Sequence, residues 1–598
     1  MVKKYIYGGL GLVAFLVMNS CSLSTGNKID PEAVIPVDSF VVLAVDLSDD
    51  DQLGMMKELV ARFPNLGLSK KMVSFIDQSF SGKAAGLGDN IDFSYEKDLK
   101  PVFSSDFKVV ASFNFPDELK KLEDFETMDP NKMDFYISVS SSKPDLVQAF
   151  WEKMTQLSSV STDVTSDLMV ETKGEFTYLT SESQKTYVAR KDNLIFISNT
   201  SENRDAGVKR ILDNSGMKNP LKEKNLGYLT MNLEKLKKPL EEFYTTAGMT
   251  DFIEQIKSMK GFTVWMKSSK DGLYVYTDYD ILGDSKDFYK SYSGDSNELM
   301  KYVPADGMIF YAEPLDMRSF MTSILTSIYT DPIDAGTAVK DSNIVASKVK
   351  EGSAKVLAFL GMTNEELTKL ESIPAALAIN DVGGLFPGIS VYLKYDAETS
   401  EVAKKLLPAI NKLVDQNMPK IQKFFVDEGL QKDFLKRKKN VFEGNEMDML
   451  YLDIATLPAE KSEPMKAILG SEMSLLKLEL YYGLILKDNL FVLAFYPKFP
   501  EVYGKTSFAD STAYKNAVEN VSLKPGMVVY ADLTKIMAIA DRYVALMKNV
   551  GALTFTDLAG YGLVKDYIST IRYIVGVSKF TDDHLDGESF IRIEKITK

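Results

Sequence analysis

Apolar and polar positions divide the chain into short strand-like runs punctuated by turn residues, with helix-like stretches between them. An almost unbroken apolar run, residues 6–18, comes first. Beyond it, residues 35–47 read IPVDSFVVLAVDL and residues 303–315 read VPADGMIFYAEPL. Pro36/Pro304, Asp38/Asp306, Ala44/Ala312 and Leu47/Leu315 coincide at one offset of 268 residues. A third version, PGMVVYADL, covers 525–533, and a weaker fourth, LGYLTMNL, covers 226–233. Each predicts the same local structure: a Pro or Gly turn opens a short apolar strand, and a polar residue then starts a helix. In the first copy Ser48 can cap, and Asp49, Asp50 and Asp51 would face the positive end of the helix.

Other elements recur in the same order. Residues 134–140 form a strand pattern leading to Pro144 in the first turn of a helix that runs to about Met154. Residues 389–395 form a strand pattern leading through Asp396 to a helix that ends near Leu413. The tetrad KDNL occurs at 191–194 and again at 487–490, each time between two β-rich runs. Asp-Asn tolerates the left-handed backbone that a tight hairpin demands. Each half closes with a hairpin pattern, the first around Asp271-Gly272 and the second around Asp586-Gly587. The later part adds helical patterns at 343–360, after Thr363 with Glu366 completing a capping box, and at 416–439.

The predicted fold class is therefore α+β: two tandem, internally similar halves, each a mainly antiparallel sheet with packed helices. The first half covers 37–283, and the second, with helical insertions, covers 303–598. A polar linker, 284–302, joins them. Strict strand–helix alternation is missing, which argues against a doubly wound parallel sheet.

Composition narrows the function. The chain has 598 residues, more than one hydrophobic core usually serves. A single His argues against His-dependent triads and His-ligated metals, and a single Cys excludes an intramolecular disulfide or thiolate cluster. With 70 Lys+Arg against 84 Asp+Glu, the net charge of −14 argues against nucleic acid as a partner, because counterion release needs a basic face. No cofactor and no metal are expected.

The N-terminus carries an address. Lys3 and Lys4 precede the 6–18 run, which is short for the roughly 20 residues a membrane span needs. A basic start, a short apolar core and a small residue before a cut site make a secretory signal. Here the run ends in Leu16-Val17-Met18-Asn19-Ser20-Cys21, with the only Cys of the chain directly after Ser20. This resembles a bacterial lipoprotein signal of the looser Bacteroidetes type, which implies a signal peptide over 1–20 and acylation (palmitate) of Cys21. Cleavage would remove Lys3 and Lys4 and take the net charge from −14 to −16. Charge then cannot hold the body to anionic lipid, so the acyl chains must. Residues 21–36 read as a flexible tether, and the acidic run that marks surface export is absent after Cys21. Together with the repeated Pro-x-Asp, apolar-strand, Asp-Leu opening, these residues resemble an uncharacterised family of Bacteroidetes lipoproteins, a domain of unknown function. The resemblance implies an outer-membrane lipoprotein of the cell envelope facing the periplasm, with the membrane as one partner through its anchor and a further envelope protein or ligand as another.

Candidate chemistry is sparse. Ser474 and Lys477 have the Ser-x-x-Lys spacing of penicillin-binding nucleophiles, yet the Ser-Asp-Asn companion is absent and Lys505-Thr506-Ser507 only echoes Lys-Thr-Gly. Asp582 to Gly587 echoes a calcium loop, but Ile593 stands where a bidentate Glu is required, so a hairpin turn with a solvated His584 is expected. The Gly383 to Gly388 stretch joins two strands instead of opening a helix and reads as a turn. Lys436-Arg437-Lys438-Lys439 reads as the solvated end of a helix, or as a contact for acidic headgroups or an acidic partner. Trp151 and Trp265 fall on core patterns. No catalytic, cofactor or metal residue is assigned, and Cys21 is the one site residue. The expected function is a lipid-anchored binding or scaffold module rather than an enzyme. The alternative is an envelope hydrolase of glycosidase type working with paired carboxylates, one of them with a raised pKa.

Overall fold

The computed structural model describes residues 29–46, 107–114, 133–141, 169–181, 186–237, 258–282, 296–315, 373–453 and 478–594, with short gaps inside the longer runs, and some residues between them. Outside the described residues lie the signal segment with Cys21, the helix start at Ser48 to Asp51, the 343–360 helix, the Ser474/Lys477 pair and residues 284–295 of the expected linker. The fold is α+β and mainly antiparallel, and it divides between Leu282 and Gly283 into two compact units.

Among the described residues the first unit has ten strands: β1 (Val41–Asp46), β2 (Phe107–Asn114), β3 (Asp134–Ser141), β4 (Met169–Lys173), β5 (Phe176–Ser181), β6 (Thr186–Lys191), β7 (Leu194–Ser198), β8 (Gly227–Asn232), β9 (Met259–Ser269) and β10 (Gly272–Ile281). All pair antiparallel in the order β10-β9-β8-β1-β2-β3-β7-β6-β5-β4. β1 lies between β8 and β2, with Val42 and Ala44 buried on one face and Val41, Leu43 and Val45 half-buried on the other. Val42 and Ala44 face the main core, where they meet Val110, Tyr136, Phe196 and Tyr228. The helix α1 (Ser201–Asp213) closes this side. Its Thr200 cap accepts from Asn203 N, and Asn214 ends it in the left-handed region.

The second unit runs β11 (Gly307–Leu315), β12 (Ile373–Asn380), β13 (Gly388–Lys394), α2 (Ser400–Asp427), β14 (Leu435–Phe442), β15 (Asn445–Leu452), β16 (Glu479–Ile485), β17 (Leu490–Phe495), α3 (Phe499–Val502), α4 (Thr512–Val518), β18 (Met527–Asp532), α5 (Leu533–Asn549), α6 (Phe555–Ile568), β19 (Ile571–Thr581) and β20 (His584–Ile593). Its strands order as β20-β19-β18-β11-β12-β13-β17-β16-β15-β14, again antiparallel throughout. Phe310 and Ala312 face its core as Val42 and Ala44 do in the first unit. On β3 the buried face carries Tyr136 and then Ser138, whereas on β13 it carries Ser390 and then Tyr392. Among the described residues no helix is long and apolar enough to cross a membrane.

Local expectations met here include both KDNL turns, with Asp192 at φ 48° and Asn489 at φ 53°. Thr363 and Glu366 form the capping box reciprocally, at 3.0 and 3.2 Å. Asp532 caps α5 by accepting from Lys535 N.

Other local expectations are corrected. The separate helices ending near Leu413 and covering 416–439 are one helix, α2, which passes through Pro408 and Pro419. Val402, Ala403 and Ala409 pack with Tyr395, Leu484 and Phe491, and this burial outweighs the proline breaks. The helix stops before Gly429, whose φ is +75°. Consequently Lys436 to Lys439 lie in strand β14, not at a helix end. The second closing hairpin turns two residues after Thr581, so Asp586 and Gly587 pair within the ladder with Lys579 and Ser578. His584 is the exposed first residue of β20 rather than part of a turn. Part of the expected linker, Ser296–Tyr302, is a 3-10 helix with Leu299 and Met300 buried. Likewise Pro31–Val34, in the stretch read as tether, is a 3-10 turn inserted under the first sheet.

Candidate functional site

That inserted turn, with its neighbours Ile29 to Pro36, forms a strap across the buried face of the first sheet. Pro31 at the first helical position presets the turn, since its fixed φ suits a helix and it lacks an N–H to leave unpaired. Ala33 N donates to Asp30 O at 3.0 Å and Ile35 N to Glu32 O at 2.9 Å. Val34 and Ile35 are fully buried.

Polar groups from distant elements clamp this strap. Ser138 Oγ donates to Pro31 O at 2.8 Å, Arg210 Nε to Val34 O at 2.6 Å and Met217 N to Ile35 O at 2.9 Å. Ile29 N donates to Asn193 Oδ1 in the β6–β7 turn at 3.1 Å. At the centre, Lys108 Nζ lies 2.5 Å from Glu32 Oε1 and 3.2 Å from Asp30 Oδ1, while Tyr228 OH donates to Glu32 Oε1 at 3.0 Å. The Glu32 side chain has 0% exposure and that of Lys108 has 13%.

Burial pushes the Glu32 carboxyl up to about 7, reinforced by the adjacent Asp30 and opposed by Lys108. Burial also works against charge on Lys108 and Asp30. The two carboxylates nevertheless hold the Lys108 ammonium above its ordinary value, and contacts with Glu32 and Lys108 hold Asp30 below its own. Glu32 binds its proton more tightly folded than unfolded, so its contribution is full below about pH 4.5 and is lost as pH rises through 7. Asp30 acts only in acid and Lys108 only in base, outside this window. Raising the pH from 4.5 to 7 is therefore expected to remove up to about 3 kcal/mol from the first unit. Glu32→Gln should flatten this part of the profile, as denaturant titrations across that range will read. A variant profile parallel to the wild type would contradict the assignment.

Two neighbouring carboxylates with one raised pKa are what carboxylate hydrolysis requires. Here, however, Glu32 is sealed from solvent and the surrounding donors are engaged with the strap backbone. The arrangement holds the chain. Sequence reasoning missed it. The available signal was Lys108 at an inward position of an apolar strand, in line with Val110 and Ser112.

The residues singled out from sequence are dispersed. Cys21, Ser474 and Lys477 lie outside the described residues. Thr506 Oγ1 accepts from Ala305 N, and Ser507 Oγ donates to Met300 O, so both tie a turn to the start of the second unit. Gly383, at φ +70°, turns between β12 and β13, with its N–H donating to Asp381 Oδ1. In β14, Lys436 pairs with Asp453, and Arg437 binds Asp415, Asp448 and Asn411, which fastens α2 to the sheet. Trp151 is buried with Leu179 and Val188, and Trp265 stacks on Tyr276 at 5.3 Å. Among the described residues no group of three or more His, Cys, Asp or Glu is placed to hold a metal ion.

No protein-family model and no curated protein matches the chain. Among solved structures it is similar to crystal form III of TP0453, at 10% identity and a TM-score of 0.23, over 43% of this chain and 81% of that one. Crystal forms I and IV of the same protein align at 11% and 10% identity with TM-scores of 0.22 and 0.23, over 43% and 44% of this chain and 81% and 85% of theirs.

Proposed function

We propose that the protein is a lipid-anchored binding or scaffold module of the cell envelope, held by acyl chains on Cys21 at the periplasmic side of the outer membrane. The observation that carries this reading is the strap. The first described segment after Cys21 is not a loose leader but is locked beneath a sheet by an ion pair and four further side-chain hydrogen bonds. A segment fixed in this way transmits a pull from an anchor directly to the fold. The chemistry at its centre is sealed and holds chain, which favours binding over hydrolysis.

The two units are, in this reading, tandem copies of one design. Support comes from the strand order, which is the same permutation in both. It also comes from register: Val41 pairs with Phe113 and Met231, while Ile309, 268 residues later, pairs with Ile379 and Ala531. The two KDNL tetrads, 296 residues apart, close the same β6–β7 and β16–β17 connections.

Cys21→Ser is expected to move the protein from the membrane pellet to the soluble fraction and to abolish fatty-acid labelling. Unchanged pelleting of the variant in high salt would sink the anchoring.

A further inference from the structure

We infer that one particular end of the first sheet, the end bearing the β4–β5 and β6–β7 turns, faces the lipid surface at close range. This rests on the reading that Cys21 is acylated, and it follows from where the strap enters. Ile29 is fixed to Asn193 in the β6–β7 turn, and Asp30 to Lys108 at the start of β2. Asp46 pairs with Lys108, and Ser141 N donates to Asn193 O, so these residues all belong to one end of the strands. The β4–β5 turn shares that end, because Lys173 pairs with Phe176 and Thr177 pairs with Arg190. The opposite end carries Asn114, Asp134 and the start of α1, where Phe135 N donates to Asn199 Oδ1.

Length decides the orientation. Eight residue spacings separate Cys21 from Ile29, about 28 Å at full extension and about 16 Å as a flexible coil. Along β3, Asp134 at the far end and Ser141 at the Asn193 end stand about 23 Å apart at the rise of a β-strand. With the opposite end on the membrane, Ile29 would stand roughly 23 Å above it, so the tether would be drawn nearly taut and lose most of its conformational freedom. With the Asn193 end on the membrane, the same eight spacings bridge the gap without extension.

At this end Lys191 pairs with Glu175, and Lys173 with Glu171. These two pairs cancel locally, but Asp46 and Asp192 stand at the same end, and the chain without Lys3 and Lys4 carries −16, so charge offers no attraction to anionic headgroups. The partner surface is lipid headgroup, approached by tether and not by charge, so the pose is expected to be insensitive to salt.

Acylation consumes the only thiol of the chain, so an introduced cysteine is unique in the full-length protein. A fluorescent donor on Glu175→Cys (the Asn193 end) and one on Glu202→Cys (the opposite end) are compared by energy transfer to headgroup-labelled lipid. The vesicles are phosphatidylethanolamine and phosphatidylglycerol carrying the acylated protein. The Glu175 donor is expected to lie 15–20 Å nearer the surface, by the strand rise, at low and high salt alike. Inserting twenty Gly/Ser residues between Thr25 and Gly26 is expected to collapse the difference. Equal or inverted heights in protein that carries fatty acid would overturn the orientation. Absence of fatty acid and of vesicle binding would instead overturn the anchoring itself, and the orientation with it.

Discussion

Lys108→Met lowers the stability of the first unit by about 3–5 kcal/mol at pH 8, the usual cost of leaving one partner of a buried ion pair alone. Met fills much of the same space, so the loss is electrostatic and not a cavity. Among the described residues, Tyr228 then remains as a donor to the Glu32 carboxylate, whose side chain is sealed from solvent. Its carboxyl already sits at about 7, so below that pH it escapes the penalty by taking a proton. The same substitution at pH 5 is expected to cost distinctly less. Adding Glu32→Gln to Lys108→Met should recover most of the loss at pH 8. Urea unfolding at the two pH values provides the check, and a loss below 1 kcal/mol at pH 8 would remove the ion pair from the account.

Gly216→Ala is expected to cost about 3 kcal/mol or more, at the upper end of ordinary single substitutions. A Cβ there would stand 1.9 Å from the Ala33 carbonyl oxygen and 2.5 Å from its carbon. Backbone cannot rotate aside as a flexible side chain would, so the strap or the loop after α1 must move. Either shift breaks the Met217 N to Ile35 O bond. Gly174→Ala supplies the comparison. Gly174 has φ +61° but nothing within 4 Å of its Cβ position, so only the backbone preference is lost, about 1 kcal/mol. If the two variants unfold at the same denaturant concentration, the strap does not bear on stability as described.

Sequence made part of this legible, and the division has a physical basis. Features set by neighbours along the chain were readable: the left-handed Asp192 and Asn489, the Thr363/Glu366 box, the Asp532 cap and the apolar strand openings. Features set by partners far away were not. Lys436 to Lys439 has helical propensity, yet pairing along Asn445–Leu452 and the carboxylates of Asp448 and Asp453 make it a strand. Asp586-Gly587 has the composition of a turn, but the ladder with Lys579 and Ser578 continues past it. Asp30 and Glu32 read as solvated tether because Lys108, their counterion, is more than seventy residues away. The candidate site was thus invisible except for one lysine facing the wrong way in an apolar strand.

Two sheets of one strand order in a single chain invite a folding error in which a strand docks into the other sheet. The displaced tyrosines of β3 and β13 work against it. Laid in the place of β3, β13 would bring the bulk of Tyr392 to the position of Ser138, whose small side chain reaches the Pro31 carbonyl and leaves room for the strap. Laid in the place of β13, β3 would leave Ser138 where the ring of Tyr392 fills the core beside Phe499. Each exchange overfills one position and hollows another, since Ser390 would land where Tyr136 belongs and Tyr136 where Ser390 does, so a two-residue shift of a single ring sets each sheet against the strand of the other while the chain is still assembling.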